Sequence, residues 1–553
     1  MRMLTGVIVL AALFCVATVS HAQRTTGEIT GTVSDDSGLP LPGVTVTLRG
    51  AGVTSTGVVA VSAENGAYRF ANLPPGSYEL EAVLQGFSTL KREGIPVGVG
   101  NTVTLDLALK VGSIEETITV TGLAPVVNVT SAQVSTNYTK EWVEAAPVRR
   151  FSFFDLINSA PGVSQTTSTS SGTTNATSLG SSVNDNSYQI DGTNLTAPGA
   201  GGGWAWPNTD AIQEIEVLQL GASAEYGNVQ GAVFNIVTRQ GGNQFHGDGN
   251  FYFMNDALTA RNTTDAQDGG KPYYRKDFKD TTWQLSGPAI RDRLWFFGSY
   301  QYQNNADAQP GFGPALAVTS FAKRVFYKIT YNITSKHRLM YGYHDDYWGL
   351  PPTQTSPLIA ASTLTKSHGD NPTPNLVYTG TLSDKSYIEA RISGYFAKDS
   401  NDPVEAGQPF GIIQVTNDDT GEVTGGVTQL QTNKSWRRGM SVKYAHYIPN
   451  VLGGNHDLKF GLQHDDGGAD SIIATNDTLT IFPRTGAASF GTTRQPYHQG
   501  ALIRSYGAYV DDTYGVGRVT FNLGLRWDHS SGGFQAFPLL DQLAKPTGQM
   551  SPE

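Results

Sequence analysis

The chain has 553 residues, a formal net charge of −10, a single cysteine and only 16% charged residues, where globular chains carry roughly a quarter. Its Lys and Arg are scattered, so no basic patch recommends a nucleic-acid partner, and one cysteine excludes a disulfide framework and any Cys-based zinc site. The 63 Gly, 24 Phe, 24 Tyr and 8 Trp fit turn-rich β structure, and the length allows roughly three domains.

Residues 1–22 read as a secretory signal. Arg2 supplies the positive start, Val7–Phe14 the apolar run, and Ser20-His21-Ala22 the small residues of a cleavage site. The run is shorter than the ~20 apolar residues of a spanning helix, and Phe14 ahead of Cys15 argues against a lipoprotein site. No later stretch suits a membrane helix, so a mature chain that meets a membrane must do so as a closed barrel.

Residues 24–110 alternate at period 2, with Ile29, Gly31 and Val33, then Val44, Val46 and Leu48. Asp35-Asp36-Ser37-Gly38, Pro40-Leu41-Pro42-Gly43 and Leu73-Pro74-Pro75-Gly76 are turn signals, and Asn65-Gly66 predicts a tight hairpin leading into Tyr68 and Phe70. The expectation is a sandwich of about seven short strands ending near Leu109. The spacing of Gly31, Asp35, Gly38, Pro40, Gly43, Asn65 to Tyr68 and Pro75 to Tyr78 resembles the carboxypeptidase regulatory-like domain, a prealbumin-like β-sandwich. Nothing in it has catalytic spacing, which leaves a structural or docking module.

Residues 111–244 open on Glu115-Glu116-Thr117-Ile118-Thr119-Val120-Thr121-Gly122, a β-prone segment able to add to another protein's sheet edge. Ala146 to Arg150, Phe154 to Ile157, Ala160 to Val163, Tyr188 to Asn194 and Ala211 to Val217 follow. The densest run is Ala224 to Gly227, Gly231 to Arg239 and Gly241 to Gly247. In this order the motifs resemble the α+β plug domain of a TonB-dependent outer-membrane receptor, of the Oar-like branch that carries a regulatory-like domain in front. The resemblance implies that Glu116, Thr117, Ile118, Thr119, Val120 and Thr121 form the TonB box, with TonB as the energy-coupling partner together with ExbB and ExbD. Arg149, Arg150 and Arg239 are candidates to pair with carboxylates of the inner barrel wall, solvated surface arginine being the plain alternative. Residues 164–182 and 198–203 are rich in Ser, Thr and Gly and read as flexible loop. The sharper reading makes Trp204 and Trp206 a ligand-contacting apex.

From 245 to 553 strands are expected near 246–256, 276–287, 293–304, 321–332, 337–347, 374–383, 386–397, 434–447, 456–466, 501–513 and 517–528. Val519, Phe521, Leu523, Leu525 and Trp527 share one face while Thr520, Asn522, Gly524 and Arg526 share the other, the apolar-out, polar-in alternation of a membrane barrel. Every second link is short, which fixes short turns on the periplasmic side and long loops outside. His344-Asp345-Asp346 and His464-Asp465-Asp466 then fall at the outer ends of strands, as solvated rim residues or a divalent-ion site. About eleven strands are half of the 22 of a plugged transporter, so the expectation is an antiparallel transmembrane barrel cut short within its sequence. No nucleophile elbow, metalloprotease motif or phosphate loop is present, so no catalytic residue, cofactor or metal is expected. The best reading is active uptake of a large or scarce extracellular ligand (glycan, peptide or metal chelate) through the outer membrane of a Gram-negative bacterium, among its lipids. The rivals are an envelope adhesin and a secreted carbohydrate-acting enzyme.

Overall fold

The computed structural model describes residues 25–551 except 51, 54, 113–116, 122–132, 147, 149–151, 168–173, 199–200, 204, 228, 262, 312, 353–357, 405–410, 492–495, 518 and 542–544. The expected signal, 1–22, lies outside them. Strands β1 (Gly27–Asp35), β2 (Thr45–Gly50), β3 (Val58–Val61), β4 (Ala67–Leu73), β5 (Gly76–Val83), β6 (Thr89–Val97), β7 (Thr102–Thr104), β8 (Leu107–Leu109) and β9 (Thr117–Thr121) build the N-terminal sandwich. One sheet orders β4-β1-β7, with β8 also on β1, and the other orders β3-β2-β5-β6-β9. Period-2 alternation buries Ile29 and Val33 from the first sheet against Val46, Leu48, Leu80 and Ala82 from the second. A Cβ at Gly31 would run into the Leu105 carbonyl, so this close approach admits only glycine.

The Asn65-Gly66 turn forms, with Gly66 at φ 76 and its N–H donating to Ala63 O at 2.8 Å. It does not close the expected hairpin. β3 pairs with β2 and β4 with β1, so the turn carries the chain from one sheet to the other and delivers Tyr68 and Phe70 to the core.

The plug follows as β10 (Val134–Thr139), α1 (Lys140–Ala145), α2 (Phe153–Ile157), β11 (Val163–Thr167), β12 (Thr174–Ser178), β13 (Ser187–Ile190), β14 (Thr193–Asn194), β15 (Ile212–Leu220) and β16 (Val233–Thr238). Its sheet orders β10-β15-β16-β13-β14. Ser152 and Asp155 form a reciprocal capping box that starts α2, and Phe153, Phe154, Leu156 and Ile157 are buried against Tyr188 and Phe234. Those last two rings stack at 5.1 Å and 14°. Within residues 164–182, expected as loop, β11 instead pairs antiparallel with β12. Ala176 is buried there and its N–H donates to the Tyr188 hydroxyl at 2.9 Å, which ties the Ser/Thr-rich segment to the plug core.

The remaining strands are β17 (His246–Met254), β18 (Tyr274–Ile290), β19 (Leu294–Ala308), β20 (Val318–Thr334), β21 (His337–Leu350), β22 (Thr365–Asp370), β23 (Thr373–Ser383), β24 (Ser386–Pro403), β25 (Gln414–Asn417), β26 (Val423–Thr424), β27 (Gln429–Val451), β28 (Gly454–Thr475), β29 (Thr478–Phe482), β30 (Ala487–Gly491), β31 (Tyr497–Val516), β32 (Val519–Gly533), β33 (Pro538–Leu540) and β34 (Pro546–Met550). A 12-stranded sheet runs from β17 to β32 in chain order. β22 and β23 both pair with β21 and with β24, so they share one position, broken where Pro372 brings no N–H. Most strands outrun their expected ends, β27 to 23 residues and β28 to 22, and the long connections 398–433 and 467–500, expected as loops, hold a second sheet, β26-β25-β29-β30.

The wall has two chemistries. Trp283, Leu285, Tyr300, Val325, Tyr327, Ile329, Ile392, Phe460, Leu462, Leu525 and Trp527 are exposed on one face, an apolar surface suited to acyl chains. Their alternates Gln284, Gln301, Arg324, Lys328, Arg391 and Gln463 are buried on the other. Substituting Gly31→Ala is expected to overpack the sandwich by about 1–3 kcal/mol, read as a lower urea midpoint for loss of its strands.

Candidate functional site

The candidate functional site is the seam where the plug meets the inner face of the wall. Strand alternation points Lys328 of β20 inward, where its Nζ lies 2.9 Å from Asp191 Oδ1 and donates to Thr238 O at 3.0 Å. The same carboxylate accepts from the Thr238 N–H at 3.0 Å and hydroxyl at 2.6 Å. Asp191 stands on the turn between β13 and β14 with φ 47, followed by Gly192 at φ 75. Asn375 of β23 donates to the Asp191 carbonyl at 2.8 Å, and a Cβ on Gly192 would collide with the Arg391 guanidinium. One tight turn of the plug is thus gripped by three wall strands.

A second grip forms at Glu225. Lys443 Nζ of β27 lies 3.0 Å from Glu225 Oε1 and 3.9 Å from Glu389 Oε2, and Arg391 is 3.2 Å from the latter's other oxygen. All four side chains are nearly inaccessible, at 1–3% exposure. Gln463 donates to Glu225 O at 2.8 Å, and Arg526 donates to Ala224 O at 3.1 Å and Glu225 O at 3.3 Å. The third grip is Asp346 of β21, which lies 3.0 Å from Arg324 Nε and accepts from the Trp206 N–H at 3.2 Å.

The sandwich closes the short-turn end. Arg69 of β4 pairs with Asp457 of β28 at 3.0 Å, and Ser55 donates from backbone and side chain to Asp292, in the turn between β18 and β19, at 2.6 and 2.8 Å. Against the plug, the Val99 N–H donates to both oxygens of Glu214 at 3.0 and 3.1 Å, and Asn137 donates to Oε1 at 2.7 Å. Burial pushes the Glu214 carboxyl up to about 7, a rise these two donors only partly offset. Between the three bodies lies a cavity of about 600 Å³ lined by Gly52 and Asn72 of the sandwich, Asp191 and Gln240 of the plug, and Lys328 and Arg338 of the wall.

Of the residues singled out in the sequence, Arg239 lies on the seam. Its Nη1 sits 3.5 Å from Asp248 of β17 and donates to Gln284 of β18 at 2.5 Å and to Asp210 O at 3.3 Å. Thr117 to Thr121 form β9. Trp206 is half-buried, its ring edge-on to Phe154 at 6.3 Å in the plug core. Glu116, Arg149, Arg150 and Trp204 lie outside the described residues. The two His-Asp-Asp triplets are not at strand ends, because the strands continue past them. His344 and Asp346 are buried on the seam, while Asp465 and Asp466 pair with Arg437 at 3.3 Å and Arg438 at 2.7 Å. Among the described residues no group of three or more His, Cys, Asp or Glu could hold a metal ion. The seam's main groups, Asp191, Glu225, Lys328 and Lys443, carried no role in the sequence reading, although Asp191 and Glu225 sit inside its plug motifs.

Three family models match in chain order: a carboxypeptidase regulatory-like domain over residues 28–110, a TonB-dependent receptor plug domain over 128–233, and an outer membrane beta barrel domain over 237–320. The TonB-dependent transporter Oar of Myxococcus xanthus is 25% identical over 455 residues, 71% of this chain and 41% of its own length. The chain is a homologue of TonB-dependent transporters. It spans about two fifths of the length of that curated relative. The fold is that of the outer membrane transporter YddB from Escherichia coli, with a TM-score of 0.55 at 14% identity over 72% of this chain and 57% of that one. The ferric-catecholate import receptor Fiu from E. coli K12 gives 0.52 at 14% identity over 76% and 63%. These domains and relatives place the chain in the Gram-negative outer membrane.

Two outcomes follow from the seam. Asp191→Asn keeps the shape and tolerates the left-handed backbone, but strands the Lys328 ammonium; the plug should lose about 3 kcal/mol, read as faster amide exchange in β13 and β16. Glu214 titrates near 4.5 when hydrated and about 7 when docked. The docked state therefore holds a proton the undocked state releases, so docking weakens as pH rises from about 4.5 through 7 and then levels off. Exchange at residues 97–101 should rise over that window, and Glu214→Gln should flatten it.

Proposed function

We propose that this TonB-dependent homologue imports a large or scarce ligand (a glycan, a peptide or a metal chelate) across the outer membrane, with TonB, ExbB and ExbD supplying the energy. The observation that carries the reading is the seam: a plug packed against a polar inner wall and held by buried ion pairs at Asp191 and Glu225 and by a backbone hydrogen bond to Asp346. Contacts of this kind hold a closed state firmly yet can be exchanged for water, since buried ion pairs contribute little net stability. In this reading residues 116–121 are the TonB box, Arg239 helps hold the plug, with Arg149 and Arg150 as further candidates, and work done on the box breaks the seam. Uptake is driven by the partner, and no reaction chemistry is required of the chain. The regulatory-like sandwich points by analogy to polymeric ligands such as glycans or peptides.

The test is deletion of residues 117–121 in the whole receptor, in cells offered a panel of labelled glycans, peptides and chelates. Energised accumulation of the cognate ligand should fall at least about tenfold while surface binding stays unchanged. Unchanged accumulation would sink the reading, and an adhesin would show binding that is indifferent to the deletion and no accumulation at all.

A further inference from the structure

β9 does not stand alone between sandwich and plug. It pairs in parallel with β6 over five registered positions, Thr89 with Thr117, Leu90 with Ile118, Lys91 with Thr119, Arg92 with Val120 and Glu93 with Thr121. It thereby becomes the last strand of the sheet β3-β2-β5-β6-β9. We infer that the sandwich presents residues 117–121 as a preformed edge strand, and that a periplasmic partner adds its own extended strand to β9 while β9 stays on β6. This rests on the reading of 116–121 as the TonB box and assigns the sandwich its role in that contact.

The argument is one of backbone polarity and order. Along a strand successive N–H and C=O pairs point to alternate edges, so pairing with β6 uses one edge and leaves the other free to pair. Among the described residues that outer edge has no partner strand. A bare sheet edge is a template for strand addition, and folds normally shield one that is not used. Docking on β6 fixes the backbone of the five residues before the partner arrives, so association does not have to order them. The sandwich is itself fixed to the wall at Arg69–Asp457 and Ser55–Asp292, which holds the edge at the short-turn mouth. Glu115 and Glu116 precede the strand in the sequence, so the matching partner strand is β-prone with basic residues beside it. The competing arrangement, in which the sandwich hides the strand and the partner must peel it away, predicts the opposite response to locking β9 in place.

Lys91 and Thr119 are direct register partners, and neighbouring strands ~4.8 Å apart fall within the span a disulfide bridges. The native chain has one cysteine, Cys15. A Lys91→Cys, Thr119→Cys receptor, whole and in detergent, serves as its own control between reduced and oxidised forms. The disulfide should form with dissolved oxygen as the two-electron oxidant, and the oxidised receptor should bind the purified periplasmic domain of TonB at least as tightly as the reduced one, by up to about tenfold. Failure of the disulfide to form overturns the pairing, and a tenfold or greater loss of binding on oxidation overturns presentation in favour of a hidden strand. If deleting residues 117–121 leaves TonB binding intact, the box assignment fails, and this inference with it.

Discussion

A cation buried on the inner face of a barrel must find a counter-charge, and for Lys328 and Lys443 the close-packed plug supplies it. Lys328 and Lys443 are on average less exposed than one part in twenty, and an ion so placed costs several kcal/mol unless it is paired and hydrogen-bonded. The alternation that gives the wall an apolar outer face turns these cations inward, beside buried Phe297, Phe326 and Tyr395. The plug answers with Asp191 and Glu225, and each is held again through its backbone, by Asn375 at one and by Gln463 and Arg526 at the other. A carboxylate that moved by one residue would lose both kinds of contact, so the pairs set the position of the plug more than they set its stability.

That arrangement explains which parts of the molecule the sequence discloses. The wall was legible because alternation is local: Leu523, Leu525 and Trp527 declare their face without reference to any other strand. The sandwich was legible for the same reason, apart from the Asn65-Gly66 turn, where the dipeptide specifies a reversal but not which sheet receives each arm. The seam is a different matter. Lys328 is 137 positions from Asp191 and Lys443 is 218 from Glu225, and no periodicity reaches across such distances. A signal was present in the odd placement of a carboxylate within otherwise small or apolar motifs, Asp191 before Gly192 and Glu225 before Tyr226-Gly227. The His-Asp-Asp triplets misled because strand ends were placed too early, so inward positions in mid-strand looked like rim.

The sandwich adds a constraint of its own, since it touches both bodies that a moving plug would separate. Its links to the wall include an ion pair at Arg69–Asp457 whose side chains are only 11% and 13% exposed, and Glu28 lies 2.7 Å from the same guanidinium. Its links to the plug run chiefly through Glu214, a carboxyl that burial already holds close to its protonated form. Opening either boundary hydrates its charges, but hydration of Glu214 also releases a proton, so the link to the plug weakens as pH rises toward 7. The boundary that responds to pH in that range is therefore the one between sandwich and plug. β9, paired with β6 in the sandwich sheet, lies on the sandwich side of that boundary.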